Sequence, residues 1–145
     1  MTTDNNILVV RSFINQFWNG AEPTNADQFL SADYVDHAYV PNNRKGLEHT
    51  ARLLHSAFPD QCSSEESILA QGDRVIVRLR MKGTHRGNFR GTEATNNPIE
   101  VLLYREFRLA NGKIAEHWAL LDTASLLRQI GAELHEHPAC QINKS

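Results

Sequence analysis

Among the side chains able to do chemistry, histidine is abundant, with seven in 145 residues, and its spacing bears first on metals. His49 and His55 stand six apart on a helix-like segment, off the i, i+4 spacing of a shared ligand pair, and His135-Glu136-His137 lies in the tail. No functional metal is expected, although the tail triplet is suited to adventitious nickel or zinc. Cys62 and Cys140 are far apart with no C-x-x-C pairing, which suits two reduced thiols rather than a disulfide framework or a zinc site. Cys62 has no nearby histidine or helix start to lower its pKa. Gly-rich phosphate loops, a serine nucleophile elbow and a dinucleotide fingerprint are all absent.

A carboxylate beside an indole is the next candidate. Counting alternately back from Asp122 gives Leu120, Trp118, Glu116 and Ile114 on one strand face, so Asp122 and Trp118 should point the same way. A free aspartate has a pKa of about 3.9 and is a weak base. An apolar wall disfavours its charged form and raises that value. The competing reading makes Asp122 an N-cap for Thr123-Ala124-Ser125-Leu126-Leu127, where hydrogen bonds to the charged form would lower the pKa instead. His117 should face away from Trp118, toward the other sheet face or an interface, unless a β-bulge reverses it. In simple hairpin register Tyr104 sits opposite Trp118, as a pocket phenol or an ordinary core aromatic. Glu106 and Glu116 would share a face near the turn as solvated ends.

The elements that must position these residues are legible from period. Ile7, Val10, Phe13, Ile14 and Phe17 recur at helical spacing up to Trp18, and Asn19-Gly20 stops the run. A short helix from Asn25 through Phe29 and Leu30 leads, by Ser31-Ala32-Asp33, into a strand-like Tyr34-Val35-Asp36-His37. Another begins near Gly46, carries Leu47, Thr50, Leu53, Leu54 and Phe58 on one face, and ends at Pro59. The period then changes to two: Val75, Val77, Leu79 and Met81 alternate with Arg74, Ile76, Arg78 and Arg80, after Ile68 and Ala70 and the turn Gly72-Asp73. Val101–Leu109 and Lys113–Leu121 read as strands joined by Ala110-Asn111-Gly112, a strong hairpin signal. A last helix, Thr123–Ile130, stops at Gly131.

Helices first and a largely antiparallel sheet second is the α+β order, in which helices gather on one sheet face and leave a concave space suited to small ligands. The length fits one domain, 1–145, with a core of about 7–132 and a loosely ordered tail from 133. Hydrophobic residues are 41% and charged residues 22%, as in globular chains. A net charge of −2 with scattered Lys and Arg argues against nucleic acid as a partner. The start lacks a signal-peptide pattern and no apolar run spans a bilayer, so no membrane association and a cytoplasmic location are expected.

The ordered set Gly83-Thr84-His85-Arg86-Gly87-Asn88-Phe89-Arg90-Gly91, Asn111-Gly112-Lys113-Ile114-Ala115-Glu116-His117-Trp118, and Asp122 followed by Leu126-Leu127-Arg128-Gln129-Ile130-Gly131 carries a family likeness. Phe17-Trp18-Asn19-Gly20, Tyr34-Val35-Asp36-His37 and Phe58-Pro59-Asp60 fall where similar segments occur. Together they resemble the SnoaL-like polyketide cyclases and related ester cyclases, within the nuclear transport factor 2-like superfamily. One departure is Ala94-Thr95-Asn96 where the family often has Pro-Thr-Gly, and asparagine tolerates the left-handed conformation glycine would take.

The resemblance implies a cone-shaped, curved, mixed or antiparallel sheet wrapped around the N-terminal helices, a cystatin-like α+β barrel with one apolar pocket. It also implies no cofactor and a homodimer or higher homo-oligomer packed through the sheet. By its motif, Asp122 is the acid/base that removes an acidic C–H proton for an aldol-type cyclisation of a hydrophobic carbonyl or ester substrate, with Trp118 as an apolar wall. His37 is placed where the family chain enters the cavity, as a substrate-contacting or proton-sharing group. Tyr104, His85, His117, Phe13 and Phe17 complete the candidate substrate contacts, each with a plain structural alternative. The alternatives for function are a related isomerase, dehydratase or hydrolase, and a non-catalytic small-molecule-binding module.

Overall fold

The computed structural model describes residues 2–20 and 26–132. Helix α1, Thr3–Phe13, is capped by the Thr2 hydroxyl, which accepts from the Asn5 amide, and runs into a wider π-helical turn, Ile14–Trp18. The wide turn buries Ile14, Phe17 and Trp18 together. Asn19 then exchanges two hydrogen bonds with the Ser63 backbone, at 2.7 and 2.8 Å, and fastens the helix end to the sheet. A 3-10 turn, Ala26–Gln28, precedes strand β1, Leu30–Asp36. Leu30 therefore opens a strand where the sequence suggested a helix end, and the proposed cap Asn25 lies outside the described residues.

Helix α2, Arg44–Ala57, is capped by the Asn43 side chain, which accepts from the Lys45 amide. It buries Leu47, Ala51 and Leu54 but leaves Leu53 exposed. Strands β2 (Cys62–Gln71), β3 (Arg74–Thr84), β4 (Pro98–Ala110) and β5 (Lys113–Leu121) follow, then helix α3, Thr123–Gln129. The β4–β5 turn places Asn111 and Gly112 both at positive φ, 52° and 77°, the geometry that an Asn-Gly hairpin supplies. Asn96 also takes positive φ, 62°, as expected of an asparagine standing in for glycine.

The sheet order is β1-β5-β4-β3-β2, with β1 parallel to β5 and every other pair antiparallel. It is a mixed sheet with free edges at β1 and β2, so the α+β cone is open rather than a closed barrel. Inward residues alternate along β3 (Val75, Val77, Leu79, Met81) and β4 (Ile99, Val101, Leu103, Arg105, Phe107, Leu109). They join Val10, Phe13, Phe17, Leu47 and Leu126 in one core, where each fully buried large side chain contributes about 1.5–3 kcal/mol of transfer free energy.

One irregularity matters for the site. Leu109 pairs with Ile114 but Arg108 pairs with Glu116, so Ala115 is an extra residue, a β-bulge. Beyond it the alternation of β5 is inverted. Ile114, Ala115 and His117 are buried while Trp118 and Leu120 face the other way. Glu106 therefore stands opposite Trp118, and Tyr104 opposite Leu120, which corrects the simple register expected from the sequence.

Candidate active site

Three neighbouring strands bring one polar group each to the helix-covered face: Asp36 ends β1, His117 lies beside it on β5, and Arg105 comes from β4. All three are at most 2% exposed. Arg105 Nη1 donates to His117 Nε2 at 3.2 Å and to the Tyr39 hydroxyl oxygen at 3.0 Å. A guanidinium has no lone pair, so His117 Nε2 must be the acceptor and the ring proton must sit on Nδ1. That proton is donated to Asp36 Oδ2 at 3.2 Å.

Asp36 is held by three further donors. The Tyr34 hydroxyl reaches Oδ2 at 2.6 Å, and the amides of Ala38 and Tyr39 reach Oδ1 at 2.8 and 3.2 Å. Burial alone would raise the Asp36 pKa, but the hydrogen bonds from His117, Tyr34 and Ala38 hold it below the ordinary value. His117 is pushed below its ordinary value by burial first, helped by the Arg105 charge and opposed by Asp36. Tyr34 is pushed up by burial and then by the Asp36 charge. The result is a buried chain, Asp36 anion, neutral His117, Arg105 cation. Arg105 stacks on the Trp18 ring at 3.8 Å.

The chain ends at a cavity of about 430 Å³, lined in part by Tyr39 and Arg105. Its other walls are mainly apolar, including Leu54, Met81, Phe89, Leu103 and Ala119. Such a space is suited to a ring-containing small molecule with one polar group directed at Tyr39 and Arg105.

Asp122 caps α3: its carboxylate accepts from the Ser125 amide at 3.2 Å and the Ser125 hydroxyl at 2.7 Å. These bonds hold its pKa below the ordinary value. Its chain neighbours Leu121 and Thr123 both line the cavity, so Asp122 stands at the rim. Trp118, expected beside Asp122 as an apolar wall, lies instead on the opposite sheet face, stacked on His37 at 4.7 Å and under the Arg74 guanidinium at 4.9 Å. The bulge at Ala115 puts Trp118 out of phase with the buried Ile114 and so onto that outer face. His37 Nε2 lies 2.9 Å from Glu116 Oε1, and Arg108 also binds Glu116. His37, Trp118 and Tyr104 thus share the outer face, outside the cavity lining.

His85 is fully buried, its Nδ1 accepting from the Thr95 amide at 3.3 Å, against Phe58, which in turn packs on the cavity residue Phe89. Phe13 and Phe17 stack on each other at 5.0 Å within the core. Of the expected residues, only His117 joins the buried chain. Asp36, Tyr39 and Arg105 were not among those expected. Arg105 had a signal: it is the one charged residue in the inward phase Val101, Leu103, Phe107, Leu109. Among the described residues no group of three or more His, Cys, Asp or Glu could hold a metal, and no helix is long and apolar enough to cross a membrane.

Residues 8–130 match the SnoaL-like polyketide cyclase family. AclR from Streptomyces galilaeus, described as a proposed hydroxylase, superimposes with a TM-score of 0.82 at 25% identity, covering 99% of this chain and 95% of that one. IdmH from Streptomyces antibioticus, described as a proposed polyketide cyclase, gives 0.76 at 25% identity, covering 88% and 99%. A proposed SnoaL-like polyketide cyclase from Jannaschia gives 0.79 at 20% identity, covering 91% and 95%, a likeness of fold. No curated protein sequence matches the chain.

Proposed function

Because the chain belongs to the SnoaL-like polyketide cyclase family, we propose that it performs acid–base chemistry without a cofactor, an aldol-type ring closure, on a hydrophobic carbonyl compound held in the cavity. The observation that carries this reading is the buried chain Asp36, His117, Arg105, Tyr39 ending at the cavity wall. Tyr39 accepts from Arg105 through its oxygen, so its own proton is available to a substrate carbonyl. Arg105 and Tyr39 then share the negative charge of the enolate that forms when the acidic C–H proton leaves.

His117 is the proton acceptor in this reading. When a substrate oxygen takes over the Arg105 N–H, the His117 Nε2 lone pair is released, and Asp36 stabilises the imidazolium from the Nδ1 side. The same proton is returned to the new alkoxide as the ring closes. A second reading keeps Asp122 as the base, favoured by its place between two cavity-lining residues, and requires it to leave its cap.

Turnover of a panel of β-keto ester and polycyclic ketone compounds, followed by mass-resolved chromatography and by deuterium exchange at the acidic carbon, separates the readings. His117→Gln should lower turnover by about 10²–10⁴-fold while Asp122→Asn keeps most of it. Loss in Asp122→Asn with His117→Gln unaffected would transfer the role to Asp122.

We also place the homodimer implied by the family on the outer sheet face. Leu69, Ile76, Tyr104 and Leu120 are exposed there around Trp118, a concentration of apolar surface on one face. Ile76→Glu with Tyr104→Glu should yield monomers by sedimentation velocity, and an unchanged dimer would move the interface elsewhere.

A further inference from the structure

We infer that the cavity selects ligands carrying a permanent oxyanion, a carboxylate on an apolar body, and that Arg105 is the residue that reads the charge. The inference rests on the cavity being a ligand site, as proposed above, and not on any reaction within it. It concerns which ligands bind at Arg105 and Tyr39, the donors that the proposed reaction directs at a carbonyl oxygen.

The charges of the cavity wall are one-sided. Among the described residues that line it two are charged, Arg90 and Arg105, both cations, and none is an aspartate or glutamate. Arg90 sits at the exposed side with its guanidinium over Phe89 at 5.5 Å, while Arg105 is 2% exposed. An anion entering this space meets Arg90 and then the buried Arg105, across an apolar interior that screens neither, while the rim carboxylate of Asp122 is engaged by Ser125 in the α3 cap.

Arg105 is also short of partners. Its two side-chain hydrogen bonds both leave from Nη1, and both go to neutral acceptors, Tyr39 and His117. Its Nε has no partner among the described residues. Buried guanidinium groups are ordinarily matched by a carboxylate, because desolvating the charge is costly unless a counter-ion and its hydrogen bonds replace water. Among the described residues no carboxylate pairs with Arg105 directly. The nearest along the chain of bonds, Asp36, is separated from it by His117, and its oxygens already accept from four donors.

A ligand carboxylate at the Arg105 wall supplies what is missing: a counter-charge for the guanidinium and an acceptor for the Tyr39 hydroxyl proton. An ester or amide of the same body fits the apolar walls equally and can accept a hydrogen bond, but it brings no charge. The difference between acid and ester is therefore the reading Arg105 provides.

The test is calorimetric titration of the wild-type protein with 2-naphthoate, methyl 2-naphthoate and 2-naphthamide at one pH and low salt. The expected result is that the carboxylate binds at least about tenfold more tightly than either neutral analogue, a difference of roughly 1.4 kcal/mol. Arg105→Gln should erase the preference, leaving acid and ester equal, and Arg90→Gln should reduce it and its salt dependence. Equal or tighter binding of the ester by wild type overturns the inference, as does a preference that survives in a folded Arg105→Gln protein. Should that variant not fold, the wild-type comparison decides alone, since it needs no substitution. Absence of binding by all three compounds overturns this inference together with the ligand site it rests on. Preference for the acid with no turnover of any ketone keeps the inference and removes the proposed reaction, whereas turnover of neutral esters without that preference does the reverse.

Discussion

Arg105 donates to Nε2 of His117 at 3.2 Å, and this contact is compatible only with an imidazole that is neutral at that nitrogen. Protonating the ring would set two donors against each other inside the core. The groups around His117 reinforce this: Arg105 and burial disfavour its charge, and Asp36 only partly offsets them.

Acid should therefore destabilise the fold through His117. The unfolded chain binds a proton as pH falls through the ordinary histidine value of 6.5, while the folded ring, with its lowered pKa, does not. Stability from this group is complete above 6.5 and is lost as pH falls from there toward the folded value, at up to about 1.4 kcal/mol per pH unit. Urea denaturation at pH 7.5, 6.5 and 5.5 should show that slope in wild type and a flatter one in His117→Gln. Equal slopes would mean that the ring titrates alike in the folded and unfolded chain.

Tyr39→Phe removes the hydroxyl that accepts from Arg105 and faces the cavity. Under the proposed mechanism kcat should fall by about 10–10³-fold through loss of one enolate donor. Stability should change by only about 0.5–1.5 kcal/mol. A fall in stability with no change in kcat would make Tyr39 a purely structural partner of Arg105.

Gly46→Ala should disturb the segment that carries Tyr39. A Cβ at Gly46 would collide with the Pro41 carbonyl oxygen, backbone that has no side-chain freedom to give. A loss of about 1–3 kcal/mol in denaturant unfolding is expected, together with weaker ligand binding as the 38–43 loop shifts. Unchanged affinity would show that Tyr39 is positioned by Asp36 alone.

Asp122→Ala should lower the melting temperature by removing the cap of α3, and Asp122→Asn should restore most of it, since asparagine caps nearly as well. Equal melting temperatures for the two variants would show that the bond to Ser125 contributes little.

The helices, the four antiparallel strands and the Asn111-Gly112 turn were legible because each rests on local period or local turn chemistry. Strand β1 was half legible: Tyr34 to Asp36 read as extended, but Leu30 is drawn into the strand by pairing with Ile114, a partner far along the chain. The site was harder to read. His117 was seen as a candidate but assigned to the outward face, because one additional residue at Ala115 leaves no mark on a hydrophobicity pattern. Asp36 and Arg105 acquire their meaning only when β1, β5 and β4 lie side by side, and that order is set by non-local pairing. Arg105 was not among the expected residues, although its charge in the inward phase of β4 was a signal that could have pointed to it.

Ala115 works as a phase shifter. Had β5 kept its alternation through to Leu121, the indole of Trp118 would fill the space beside Asp36 and the imidazole of His117 would lie on the outside with Arg74. With one inserted residue, the same strand writes two messages on its two sides: a proton-handling ring inward and a flat aromatic platform outward. Drawing Ala115 into the ladder opposite Arg108 would exchange the two, whereas deleting it would leave both where they are, because Arg108 already pairs with Glu116. Whether that one residue stays outside the ladder therefore decides what both surfaces can do, which no substitution at either position alone could accomplish.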